Sequence, residues 1–532
     1  MTPEHFFGRR HITVAKIILS TLNSTYQHSA FGLRYLYANM KELQRQTAIL
    51  EFTTAQKPQD IVEKLLRLEP EIVGFGVYIW NTREIYEVVH LLKLVAPQVR
   101  IVLGGPEISF ETEKQALSQK ADYVVKGEAD FLFYELCRDL LQGHLPSSKL
   151  ISGPLPAIDQ IQLPYAFYDE NDIKNRILYV EASRGCPYKC EYCLSSLDVS
   201  VRNFPLENFL HSLQGLIDRG ARSFKFVDRT FNLSPRISTR ILEFFLSHAD
   251  KNLFLHFEMV PDRLPAEIKT LIEKFPPGSL QFEIGIQTWN PQVAANVSRR
   301  QDYSKVTENL RYLKEKTRVH THADLIVGLP GETLMSFAEG FDQLVELEPD
   351  EVQVGILKRL KGTPIVRHDQ TYKMIYSEHP PFQLVQNRDV NYFEMQAMGR
   401  FSKFWDLVAN SGHFPNLLRI LRQKAKDQKG SFFWTFFDLM EFLHVRHPHG
   451  HGIALLNLAE SLWRYLEDKM KLDPAQAREI IIQDYSVVGR RDIPRFLRLE
   501  AQPIARGIKD ASRSERQRRH IRASDVNSDF PN

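Results

Sequence analysis

The sequence predicts an α/β chain: an N-terminal doubly wound parallel sheet, a central second strand–helix series, and an α-helical C-terminal part. Three observations carry this. From about Ala15 to Gly143, and again from Ile177 to about Pro364, short apolar runs alternate with amphipathic segments, the pattern of parallel strands joined by helices. From 366 onward apolar residues recur at helical spacing, as in Phe404, Leu407 and Val408 or Leu417, Leu418, Ile420 and Leu421. At 532 residues the chain is too long for one core, and about three domains are expected.

In the first series Lys16–Ser20 reads as the opening strand, followed by a loop over Asn23–Ser29 and a helix through Leu33–Lys41. Thr47–Phe52, Ile72–Val77, Arg100–Leu103 and Tyr123–Val125 read as strands, with helices over Ile61–Leu68, Ile85–Ala96 and Phe131–Leu141. Such sheets bind ligands beyond the carboxyl ends of their strands. Those ends are the loops Asn23–Gly32, Tyr78–Asn81, Gly104–Glu107 and Gly127–Glu128. Cys137 lies in an apolar helical stretch and reads as a core residue. Pro154, Pro156 and Pro164, with few periodic apolar positions around them, mark a linker at 151–175.

Three of the four cysteines fall within eight residues after the strand Ile177–Val180: Cys186-Pro187-Tyr188-Lys189-Cys190-Glu191-Tyr192-Cys193. Thiolates gathered so closely repel unless a metal neutralises them, and Cys thiolates hold iron–sulfur clusters. Three ligands leave one iron of a four-iron cluster without a protein ligand. Zinc is the main rival, but a structural zinc site is four-coordinate and reads as paired Cys or His; no such pair stands nearby. A redox-sensitive thiol patch is the plainer alternative.

The later strands end in polar residues. Ser223–Val227 ends at Asp228-Arg229-Thr230-Phe231-Asn232, and Leu253–Phe257 at Glu258. Leu280–Ile286 contains Glu283 and Gly285 and leads into Gln287, with Arg299 and Arg300 following. His322–Val327 ends at Gly328-Leu329-Pro330-Gly331-Glu332, and Glu351–Leu357 is a sixth strand. Polar residues at strand carboxyl ends read as site residues in barrels.

At its cysteine loop the chain resembles the radical S-adenosylmethionine (SAM) superfamily, whose signature is CxxxCx(aromatic)C. The resemblance implies a partial (β/α)6 barrel and a [4Fe–4S] cluster on Cys186, Cys190 and Cys193. Its open iron would chelate SAM, and one electron would release a 5′-deoxyadenosyl radical. It also implies that Asp228 and Asn232 contact the SAM amino group, and that Glu258 and Gln287 lie near the ribose, on strands that include Glu283. Gly328 to Glu332 would lie beside the adenine. Arg299 or Arg300 would pair with the SAM carboxylate, as Arg binds carboxylates bidentately. The N-terminal half resembles the cobalamin-binding, Rossmann-like domain fused upstream of many such enzymes. The matching turns are Leu103-Gly104-Gly105-Pro106 and Val125-Lys126-Gly127-Glu128, which would line the corrin. The Asp-x-His-x-x-Gly motif that supplies a cobalt-ligating His elsewhere is absent, and His28 with Gly32 does not reproduce it. Either the corrin binds without a His ligand or the domain no longer binds one.

The C-terminal part resembles the uncharacterised helical domain of one branch of these proteins. His447, His449 and His451 alternate around Pro448 and Gly450, either as a metal loop or as an exposed one. Arg513, Arg516, Arg518, Arg519 and Arg522 predict a disordered basic tail, which leaves nucleic-acid contact open. The expected divisions are 11–150, 151–175, 176–365, 366–500 and 501–532.

Hydrophobic content of 43%, charged content of 25% and a net charge of +3 (68 basic, 65 acidic) describe an ordinary globular protein. They do not by themselves indicate a nucleic-acid or membrane-surface binder. The first ten residues lack an apolar signal region and no apolar run reaches membrane-spanning length, so a cytoplasmic enzyme is expected. The family chemistry implied is methyl transfer to an unactivated carbon, or occasionally a rearrangement, on an unidentified substrate, with an external electron donor such as flavodoxin or ferredoxin. The alternatives are a radical SAM enzyme that acts without cobalamin and a non-catalytic iron–sulfur sensor.

Overall fold

Strands apolar on both faces build the first sheet, as expected where helices cover both sides. The computed structural model describes residues 15–486. These fall into two units. The first runs to Asp228 and includes Arg359–Pro364 and Ser377–Phe382; the second holds Arg229–Lys358, Ile365–Tyr376 and the chain from Gln383.

In the first unit β1 (Ile17–Asn23) is buried along its whole length. It lies between β2 (Thr47–Thr53) and β3 (Ile72–Gly76), and β4 (Arg100–Gly104), β5 (Tyr123–Val125) and β6 (Leu150–Ile151) continue the sheet in the order 2-1-3-4-5-6. Every neighbouring pair is parallel. One face packs Val73, Phe75, Ile101 and Leu103 against Ile85, Val88 and Leu92 of the helix Thr82–Val95. The other packs Leu19 and Val102 against Phe133, Leu136 and Cys137. Cys137 is therefore core, and burial pushes its thiol up.

The strand order reverses between β1 and β3, the point where such sheets bind ligands. Asn81, fully buried, ties those two strand ends together. Its side chain donates to Leu22 O (3.0 Å) and Thr21 Oγ1 (3.1 Å) and accepts from Tyr78 N (2.8 Å).

The expected linker is not loose chain. β6 lies at its start, and the helix Glu170–Asn175 docks by ion pairs. Arg34 bonds Glu51 (2.6 Å) and Asp172 (2.5 Å), while Arg176 bonds Glu51 (2.8 Å) and Asp172 (2.9 Å), all four side chains being nearly inaccessible. Proline content alone hid this docking, because the apolar anchors Tyr165 and Tyr168 are not periodic.

β7 (Leu178–Val180) follows, and a two-residue hairpin, β8 (Ser183–Arg184) with β9 (Arg202–Asn203), closes the cysteine loop. β10 (Ser223–Phe226) pairs with β7 in parallel.

In the second unit β11 (Phe254–Met259), β12 (Leu280–Gln287), β13 (His320–Val327) and β14 (Glu351–Ile356) pair in parallel in chain order. Burial alternates strictly along β12. Phe282, Ile284 and Ile286 are buried on one face, while Gln281, Glu283, Gly285 and Gln287 form the other.

The helical part starts later than expected. Residues 366–391 hold a short antiparallel ribbon, β15 (Ile375–Tyr376) with β16 (Leu384–Gln386), and helices begin at Tyr392–Trp405, whose N-terminus Asn391 and Glu394 cap reciprocally. Phe401, Trp405, Phe433 and Phe436 pack on one another and on Phe341 of the helix Leu334–Glu346, so the aromatic stripe is core. The basic tail lies outside the described residues.

Candidate functional site

A cavity of about 250 Å³ opens at the carboxyl ends of the first sheet. Its walls include Gly76 at the end of β3 and Tyr78 after it, Gly104 at the end of β4 and Gly105 after it, Gly127 and Glu128 after β5, and Phe31 and Gly32 in the first turn of the helix Phe31–Ala38. Pro106 is exposed and does not line it. Gly105 is required by geometry: its φ is +106°, and a Cβ there would stand 2.5 Å from the Val77 carbonyl oxygen. No His lines the cavity. His28 faces elsewhere; its Nδ1 lies 2.6 Å from the Tyr179 hydroxyl, and burial lowers its pKa.

The cavity and the cysteine loop share an ionic junction that the sequence did not reveal. Arg184, two residues before Cys186, donates to Glu128 (2.8 Å), Asp130 (2.8 Å) and Glu181 (2.9 Å) and lies over the Tyr35 ring. Arg202 of β9 bonds Glu128 and Asp198. Glu128, Asp130, Glu181 and Arg184 all line the cavity.

Beyond Arg184, Gly185 takes a φ of +90°, and a Cβ there would meet Ser200 O at 1.9 Å. The Cys186 amide donates to Asp198 O (2.9 Å) and the Cys193 amide to Cys190 O (3.0 Å), so the loop folds back on itself. Cys186 and Cys190 are buried, Cys193 is half-buried, and none forms a disulfide. Three thiols outside any disulfide at this spacing suit a cluster with one open iron.

Asp228 is buried at the end of β10. It accepts from Ala182 N (3.0 Å) and Ser183 Oγ (2.6 Å), and burial pushes its carboxyl up to about 7. It thus buttresses the strand that delivers the cysteines.

The remaining predicted residues lie in the second unit. Asn232 holds backbone there: it accepts from Val260 N (2.8 Å) and donates to the carbonyls of Val260 and Arg263, so the amide read as a SAM contact is already engaged. Glu258 pairs with Arg229 (3.0 Å). Gly285, Gln287 and Arg299 come together at the end of β12, where Arg299 donates to the Gly285 carbonyl and Gln287 sits at a break in register with a φ of +70°. The Gly328 carbonyl accepts from Asn387 Nδ2 (3.1 Å). Glu332 is buried, accepts from Thr288 Oγ1 (2.5 Å) and is pushed up to about 8 by burial, with its Oε2 unpartnered.

Sequence reading passed over His256, His320, His322 and Asp324; His322 and Asp324 alternate with buried residues along β13, whereas His256 and His320 are themselves buried. The His447–His451 loop gathers no metal-ligand group among the described residues: His447 Nε2 bonds Ser461 Oγ (2.8 Å), and His449 and His451 are exposed.

Comparison with known proteins bears on these parts separately. The B12 binding domain profile matches residues 18–136, the radical SAM superfamily profile 180–344, and that of a protein family of unknown function, DUF4080, 370–529. The chain carries a B12 binding domain followed by a radical SAM domain.

An uncharacterized methyltransferase of Pyrococcus horikoshii is 24% identical to the enzyme over 62% of this chain and 76% of its own length. The cobalamin-dependent radical SAM methyltransferase TokK of Streptomyces tokunonensis is 25% identical over 63% of this chain. The match spans only 54% of TokK. The fold is similar to that of the cobalamin-dependent SAM radical enzyme OxsB solved with aqua-cobalamin, with a TM-score of 0.60, 13% identity, and 98% of this chain and 84% of that one covered.

The enzyme's cofactors are therefore a [4Fe–4S] cluster, SAM and cobalamin. The residues present fit them: three thiols for the cluster, and for the corrin an apolar strand-end cavity with a glycine cradle and no His in its lining. Among the described residues no helix is long and apolar enough to cross a membrane.

Proposed function

We propose that the enzyme transfers a methyl group to an unactivated carbon of its substrate. The observation that carries this reading is the junction at Arg184, which joins the turns lining the strand-end cavity of the first sheet to the cysteine loop within one unit. When bound, the cluster supplies the electron that cleaves SAM and the corrin supplies a methyl carrier. Cys186, Cys190 and Cys193 would hold the cluster, with Asp228 fixing the strand before them. Gly104, Gly105, Gly127 and Glu128 would hold the corrin. Gln287, Arg299 and the Gly328–Glu332 turn would orient SAM, with Glu258 and Glu283 on neighbouring strands. The reading includes a cytoplasmic location and an external one-electron donor such as flavodoxin or ferredoxin.

The test is anaerobic reconstitution with iron and sulfide, addition of hydroxocobalamin, and re-isolation. About one retained corrin per chain is expected beside an iron–sulfur shoulder, and Cys190→Ala should lose the shoulder while keeping the corrin. SAM should then be consumed under reducing conditions. A cluster without retained corrin would leave a radical SAM enzyme with a repurposed front domain. Intact cofactors without SAM cleavage would instead favour a sensor.

A further inference from the structure

We propose that the polar face of the four-stranded run in the second unit carries a site for a divalent transition-metal cation, held by Glu283, His322 and Asp324. These residues belong to adjacent parallel strands. Glu283 of β12 stands directly opposite His322 of β13, and Asp324 lies two residues further along the same face. One donor atom from each of the three lies within 4.8 Å of the other two.

All three side chains are partly shielded, unlike the exposed carboxylates that crowd together on surfaces by chance. One imidazole nitrogen and two carboxylate oxygens form a mixed set that suits manganese, iron(II) or zinc. Bonds of about 2.0–2.2 Å require the donors to draw toward a common centre.

A second layer is also present. His256 of β11 places Nε2 2.8 Å from Glu283 Oε2. Imidazole on a ligating carboxylate is the outer support such sites use. The site is built from residues other than the three cysteines and does not rest on the methyl-transfer reading.

The test titrates reconstituted full-length enzyme anaerobically with Mn²⁺, following free Mn²⁺ by electron paramagnetic resonance, with Zn²⁺ as competitor. One Mn²⁺ per chain is expected, displaced by Zn²⁺ and retained in a Cys186→Ala/Cys190→Ala/Cys193→Ala variant that holds no cluster. Asp324→Asn, which keeps side-chain volume, and His322→Ala should abolish binding. His256→Ala should weaken it by about 10–100-fold. Melting curves of each variant identify any that fails to fold. Absence of stoichiometric binding in the wild type overturns the proposal, and so does binding that survives both Asp324→Asn and His322→Ala in folded protein.

Discussion

Asp228 shows how one residue serves the site by holding backbone. Its carboxyl, pushed up to about 7 by burial, favours the protonated form in the folded chain. The unfolded chain releases that proton near the ordinary carboxylate value, so folding stability falls as pH rises between about 4 and 7 and stays reduced above. Asp228→Asn removes this titration. Its melting temperature relative to wild type should therefore be lower at pH 5 than at pH 8, and an offset constant across that range would contradict the assignment. Gly105 makes a steric argument instead. Its φ of +106° and the 2.5 Å approach to Val77 O leave no room for a methyl group. Gly105→Ala should lower stability by about 1–3 kcal/mol, read by denaturant unfolding, and should reduce corrin retention.

At the scale of elements, edges and junctions matter most. The edge strand β14 would leave Val352 unpaired, and a π-helical turn at Asp406–Asn410 corrects this. Asn410 accepts from Val352 N (3.0 Å) and donates to Val352 O (2.9 Å), which also accepts from Trp405 Nε1 (2.8 Å). One side chain thus stands in for a neighbouring strand. Asn410→Leu should cost about 1–3 kcal/mol through the orphaned amide, seen as a lower denaturation midpoint with an unchanged slope. In the first unit Arg34, Glu51, Asp172 and Arg176 form a buried network in which removing one member strands the others. Arg34→Met should destabilise by about 3–5 kcal/mol and raise the protease sensitivity of residues 151–175.

For the whole molecule, two units of this size are expected to unfold in separate calorimetric steps. A ligand raises the stability of whichever folded unit binds it. Hydroxocobalamin at about 100 times its dissociation constant should add about 2.7 kcal/mol to the step that belongs to the first unit. An upward shift of the other step alone would place the corrin elsewhere. Both strand–helix series were legible because buried parallel strands need continuous apolar runs; the order of strands within each sheet was not. β6 and the hairpin β8–β9 were not, because two-residue strands have no period to read.

The sequence by itself brought together the three thiols proposed to hold the cluster. Three thiols packed into eight residues are a local fact, and local facts survive in one dimension. It also located the glycine turns at strand ends, since a turn is set by its own residues. Only the tertiary structure decided which polar side chains face one another. It joined Arg184 to Glu128 and Asp130 across more than fifty positions, spent the Asn232 amide on backbone, and set Glu283 opposite His322. Those pairings depend on strand register and burial, which arise when distant segments compete for the same interior.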